Sequence, residues 1–147
     1  MRTTRSASVI CLDSSFLVDY LRGEGYTETY LDGVDADVRL LVPTVVLHEL
    51  YFGGLRGGAT RNIPGVRHAL SGAEFIGFTD DAAEEAAEIR ATLVDRGDVI
   101  NQLDMLIAGV ARQAGASVVA VDRDYGRVPN LDAVDPKAEV GENCRVE

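Results

Sequence analysis

The sequence predicts an α/β domain built on a parallel sheet of four to five strands. Strand-like and helix-like segments alternate along the chain, as they do where each crossover returns to a parallel strand. The strand-like segments are continuous apolar runs rather than alternating ones, so both faces of the sheet are expected to be covered. The chain has 147 residues, 46% of them hydrophobic. That is the length of one domain, with enough apolar side chains for one core. We read residues 1–147 as a single domain, with its core over about 8–135 and a frayed tail over 136–147.

The elements follow in order. "SVICLD" (8–13) is a β-branched run ending in an acid and reads as a buried strand. In "SSFLVDYLRG", Ser14 or Ser15 can cap a helix, Phe16, Leu17, Tyr20 and Leu21 share a face, and Gly23 stops it. "VRLLVP" (38–43) reads as a second strand, and Pro43 and Thr44 open the helix "TVVLHELYFGG", closed by Gly53 and Gly54. Residues 57–72 carry no clear period, although "GVRHAL" fits a short helix. "EFIGF" (74–78) reads as a third strand. "DDAAEEAAEIRATLVDRG" is the clearest helix: Asp81 and Glu84 form a capping box, Ala82, Ala86, Ile89 and Leu93 form one stripe, and Gly97 ends it. "NQLDMLIAGVARQAG" follows, a helix apolar nearly all round from Leu103 to Ala111. "SVVAVD" (117–122) gives a fourth strand, again ending in an acid, and "LDAVD" (131–135) fits a fifth.

Charge narrows the function. The net charge is -10, from 24 acids against 14 bases, and Lys137 is the only lysine. A broad basic surface for nucleic acid is therefore excluded, whereas an enzyme meeting phosphates through bound metal ions is not. The acidic, Arg-rich composition suits a salt-loving host. No apolar run approaches the roughly 20 residues of a membrane span, and the start lacks a secretory signal, so a cytoplasmic protein is expected. Cys11 and Cys144 read as structural or incidental thiols.

The acids carry the chemistry. In open parallel sheets, ligands bind outside the carboxyl ends of the strands. Asp13 ends the first strand, Asp122 ends the fourth, Asp104 opens the helix feeding that strand, and Glu49 lies about 1.5 turns into the helix after the second. Taken singly, Asp13 reads as a cap, Glu49 as a solvated helix residue, Asp122 with Asp124 as turn chemistry, and Asp104 as a partner of the helix dipole. Taken together, four acids from distant positions, each among apolar neighbours, converge on one spot. Such a group needs a countercharge, and no Arg adjoins Asp13, Glu49 or Asp104. All-oxygen donors select a hard divalent cation, Mg2+ or Mn2+.

These stretches resemble the PIN-domain family, most closely its VapC-type toxin branch. "LDSSFLVDYLRG" is similar to the family's opening motif, and "VVLHELYFGG" to its second, with Glu49 as the acid. "AAEIRATLVDRG" is similar to the connecting helix, "INQLDMLIAGVARQAGASVVAV" to the third motif and "DRDYGRVPNLDAV" to the last. The resemblance spans residues 9–135 and implies a three-layer α/β/α fold. It also implies a metal-dependent ribonuclease, usually dimeric, neutralised by a cognate VapB-like antitoxin. By position, Asp13, Glu49, Asp104 and Asp122 are its acidic site, with Asp124 as a further acid. One departure stands out: Ala120 occupies a place where the family commonly carries Thr or Ser.

On this reading Asp13 and Asp104 are the principal metal ligands, and Glu49 and Asp122 complete the shell directly or through water. Ser14 or Ser15 bonds an acid or the substrate phosphate. Arg123 and Arg127, with Arg22 and Arg56 near other motif ends, are candidates for gripping RNA phosphate. His48, His68, Asp19, Asp80, Asp81 and Asp98 are expected to stay outside the chemistry. Two other classes remain open. A non-cleaving PIN-like module is favoured only by Ala120. A DxD-type phosphatase would want a second Asp at position 15, which is Ser15.

Overall fold

The computed structural model describes residues 8–57 and 62–138. Cys144 and most of the expected tail lie outside the described residues. The strands are β1 (Val9–Leu12), β2 (Arg39–Pro43), β3 (Glu74–Ile76), β4 (Ser117–Val119) and β5 (Ala133–Val134). The helices are α1 (Ser14–Leu21), α2 (Gly25–Asp32), α3 (Thr44–Leu55), α4 (Ile63–Ala69), α5 (Asp80–Arg96) and α6 (Gln102–Ala114), with a 3-10 turn at Arg123–Arg127. The sheet is wholly parallel in the order β3-β2-β1-β4-β5. Helices cover it in an α/β/α arrangement, as the family resemblance implies.

Strand order explains where a site can form. From β1 the chain crosses first to β2 on one side and later to β4 on the other. The crevice therefore opens between the carboxyl ends of β1 and β4, the switch point of the sheet. Cys11 pairs with Val118 and Leu12 with Val119, so both strands end at one level. All four residues of β1 are buried. Burial also pushes the Cys11 thiol up to about 12, so it is inert core packing.

Several boundaries differ from the sequence reading, each for a physical reason. Of the cap readings open for α1, Asp13 rather than Ser14 or Ser15 holds, because its carboxylate accepts from the Phe16 backbone N–H at 2.9 Å. The helix α2 went unread. Its hydrophobic stripe is weak, and it is held by Tyr26 and Tyr30 packing edge-on to Phe16, each ring centroid 6.0 Å away. Gly53 and Gly54 do not close α3; they lie inside it. Gly54 lets α4 approach, since a Cβ there would meet Asn62 O and Val66 Cγ2 at 3.3 Å. Thr79, not the Asp81–Glu84 pair, caps α5 by accepting from the Ala82 N–H. The fourth strand ends at Val119, so Asp122 is not its last residue but the cap of the following 3-10 turn. Residues 136–138 form a helical turn rather than a frayed end. Their Lys137 N–H and Ala138 N–H donate to Asp135 Oδ1, and the Lys137 ammonium lies 4.9 Å from the Tyr26 ring centre.

Two packing devices set the helix layers. Gly109 on α6 touches α5 so closely that a Cβ would come within 2.7 Å of Ala86 Cβ and 2.8 Å of Ala82 O. At the sheet edge, Arg39 grips Glu74 through two 2.8 Å hydrogen bonds, tying β3 to β2. No helix among the described residues is long and apolar enough to cross a membrane.

Candidate metal centre

Asp13 follows directly from β1 and is 1% exposed. Its backbone N–H donates to Val119 O, which draws the ends of β1 and β4 together. Burial raises its carboxyl to about 6; the Phe16 N–H opposes that rise, and the Asp104 and Asp122 carboxylates add to it. Asp104 stands in the first turn of α6, a helix started by the Asn101 side chain accepting from the Leu103 N–H at 2.8 Å. It is 8% exposed and is likewise raised to about 6, chiefly by burial. The Tyr125 hydroxyl opposes this shift, and Asp122 and Asp124 reinforce it.

Asp122 and Asp124 come from the 3-10 turn after β4. Asp122 is exposed and accepts from the Asp124 N–H at 2.9 Å. Oxygen atoms of Asp104, Asp122 and Asp124 lie within 4.8 Å of one another. Asp13 is not one of these three, but its carboxyl feels the Asp104 and Asp122 charges. Among the described residues, no Lys or Arg forms an ion pair with Asp13 or Asp104. Two buried carboxylates held near other carboxylates without a basic partner want a cation. Their all-oxygen donor set fits a hard divalent ion.

The other expected residues divide. Glu49 is half exposed on α3, and its carboxylate meets the neighbouring His48 Nδ1 at 3.2 Å rather than joining the gathered acids. Ser14 is half-buried and Ser15 exposed in the first turn of α1, beside Asp13. Arg123 is exposed. Arg127 is engaged, 3.5 Å from Asp98 Oδ1 and 3.7 Å from Asp124 Oδ1. It thereby connects Asp98, expected to be a plain loop acid, to the rim of the site. Arg22, Arg56 and His68 are exposed away from these contacts.

Sequence reasoning missed Tyr125. It is wholly buried and donates its hydroxyl to Asp104 Oδ1 at 3.1 Å. Burial and the adjoining Asp13 and Asp104 charges push its phenol far above the usual range, so it is a fixed proton donor. The available signal was one aromatic among the charges of "DRDYGRV". A short 3-10 turn has no period from which its burial can be read.

With this geometry in view, comparison with known proteins places the chain. The family model described as PIN domain matches residues 10–131. The protein named tRNA(fMet)-specific endonuclease VapC from Salmonella typhimurium is 30% identical over 95 residues, covering 63% of this chain and 72% of that protein. A chain of the VapBC2 structure from Rickettsia felis, bound to a DNA fragment from its promoter, superposes with a TM-score of 0.77 at 24% identity. That match covers 85% of this chain and 96% of the other. A chain of the DNA-bound VapBC structure from Salmonella typhimurium gives 0.76 at 25% identity, covering 86% and 97%. The chain belongs to the PIN-domain family.

Proposed function

We propose that the protein is a divalent-metal-dependent endoribonuclease of the VapC type, the toxin half of a toxin–antitoxin pair. The observation that carries this reading is the gathering of Asp104, Asp122 and Asp124 at the sheet's switch point beside Asp13, with Asp13 and Asp104 buried and, among the described residues, without an ion pair to a base. The Salmonella typhimurium relative is named a tRNA(fMet)-specific endonuclease, which makes a tRNA the first substrate to test.

Asp13 and Asp104 would hold the cation, with Asp122 and Asp124 completing its donor set; Mg2+ and Mn2+ both suit these oxygens. When bound, such an ion stabilises charge on the phosphoryl oxygens and promotes attack by water. The chain supplies the remainder. Asp122, open to solvent, orients the attacking water. Glu49 lies on α3 outside the gathered acids, and any part it takes would be through a water. Ser14, Ser15 and Arg123 would bond the RNA backbone, while Arg127 pairs with Asp124 and Asp98. We take the whole chain as one cytoplasmic domain that works as a homodimer.

The direct test is cleavage of tRNA with EDTA, Mg2+ or Mn2+, together with melting of the apo protein during Mn2+ titration. Because the ion binds only the folded site, a hundredfold excess over its dissociation constant raises stability by about 2.7 kcal/mol. An unchanged melting temperature at millimolar Mn2+ would remove the basis for the metal site.

The same acids suggest how the enzyme is restrained. An antitoxin segment laid across the groove between Asp13 and Glu49, carrying an Arg, would satisfy the charge that the cation otherwise satisfies. Phe52 and Leu55 on α3 are 59% and 67% exposed and offer an apolar anchor beside it. Co-expression with the product of the adjacent upstream gene is expected to yield a stable complex that no longer cuts RNA. A complex that cuts as fast as the free chain would favour a stand-alone nuclease.

A further inference from the structure

Tyr125 is a buried polar group that core packing alone does not require. Every other residue of its 3-10 turn is exposed or half-buried, yet its ring is fully enclosed. Phe would fill the same space without a hydroxyl. Burying a phenol costs stability unless the hydroxyl is bonded, and here the acceptor is Asp104 Oδ1 at 3.1 Å. The hydroxyl cannot come from position 120, which is an alanine. This bond joins the turn bearing Asp122 and Asp124 to the helix bearing Asp104, beside the direct approach of the Asp104 and Asp122 carboxylates.

We infer that Tyr125 is a positioning residue: its hydroxyl fixes the Asp104 carboxylate against the 3-10 turn, so that Asp104, Asp122 and Asp124 present their oxygens as one donor set. It touches neither substrate nor cation and acts only through Asp104. The inference rests on the metal-dependent reading given above. Hydrogen bonds to ligating groups restrict their orientation, and their loss typically weakens metal binding while the fold survives.

The test compares the full-length wild type, Tyr125→Phe and Asp104→Asn. Mn2+ affinity is measured by calorimetry, and kcat and KM are measured on tRNA. Tyr125→Phe keeps the ring in the core, so its circular dichroism spectrum should match wild type. Its Mn2+ affinity and kcat should each fall about tenfold, with KM for RNA unchanged. A residue that served only packing would lower the melting temperature without moving Mn2+ affinity, and that result would overturn the inference. So would wild-type Mn2+ affinity in Tyr125→Phe alongside a large loss in Asp104→Asn, which leaves the metal site itself standing. If Asp104→Asn also binds Mn2+ like wild type, the metal-site reading falls and the inference falls with it.

Discussion

Asp104→Asn is expected to lower RNA cleavage by about 10²–10³-fold while leaving the fold intact. The amide keeps the shape of the side chain, and its oxygen can still accept from the Tyr125 hydroxyl. What disappears is the negative charge facing the cation. Apo stability should move the opposite way. The Asp104 carboxyl is raised to about 6 in the folded protein, from an ordinary 3.8, mainly by burial. A raised carboxyl favours folding fully below the unfolded value and loses that contribution as pH climbs through the folded value. Wild type therefore weakens between about pH 4 and pH 6 on this account, whereas Asp104→Asn keeps only the share that buried Asp13 contributes. A two-unit shift corresponds to about 3 kcal/mol, which solvent on the open side of the site screens to about 1–2 kcal/mol. Metal-free Asp104→Asn should thus melt higher than wild type at pH 7 and nearly level with it at pH 4. Equal cleavage by the two proteins, or a lower melting temperature for the variant at pH 7, would show that Asp104 faces no other charge of consequence.

Gly109→Ala should destabilise the protein, although alanine is the better helix former. In an exposed helix the exchange would contribute about 1 kcal/mol of stability. Here the new methyl would lie 2.7 Å from Ala86 Cβ, 2.8 Å from Ala82 O and 2.9 Å from Ala86 Cα. Two of these three atoms are backbone, so no side-chain rotation relieves the clash and α5 must shift away from α6. Overpacking of this kind costs about 1–3 kcal/mol, and rigid backbone on the opposing side puts the net effect toward the upper end. The expected fall in melting temperature is about 5–10 °C, read by calorimetry on the metal-free protein. An unchanged or raised melting temperature would mean that α5 and α6 are packed more loosely than this contact requires.

These two positions also mark what could be read from the chain. Asp104 was legible because a carboxylate inside an all-apolar helix contradicts its surroundings. The β1 run "VICL" was legible because continuous apolar residues fit only a strand covered on both sides. The wholly apolar face of α6 announced its burial, and the buried set from Asp104 to Ala111 bears it out. Gly53 and Gly54 misled, because a glycine that ends a helix and one that admits a neighbouring helix look alike without the neighbour. The cap of α5 misled in a related way: Thr79, Asp80 and Asp81 are all able caps, and tertiary packing chose the first. The helix α2 has no stripe to announce it and depends on Tyr26 and Tyr30 meeting Phe16. Within the candidate site, Asp13, Asp104 and Asp122 were singled out from their sequence contexts, and Asp124 through the family resemblance. Glu49 was placed by helix position alone, which fixes a level along α3 but not the direction of its carboxylate. Tyr125 could not be found, since its meaning comes from burial on a turn without a period.

The cap that Asp13 provides for α1 has a consequence for motion. One carboxylate oxygen is committed to the Phe16 amide, and the backbone N–H of the same residue is committed to Val119. Dislodging Asp13 would therefore unravel the first turn of α1 and part β1 from β4 together, which amounts to opening the most protected region of the molecule. Asp122, by contrast, sits in solvent on a short turn. The site thus has an immobile floor and a yielding rim, and traffic of ions or of a phosphate must pass over the rim while the floor stays shut.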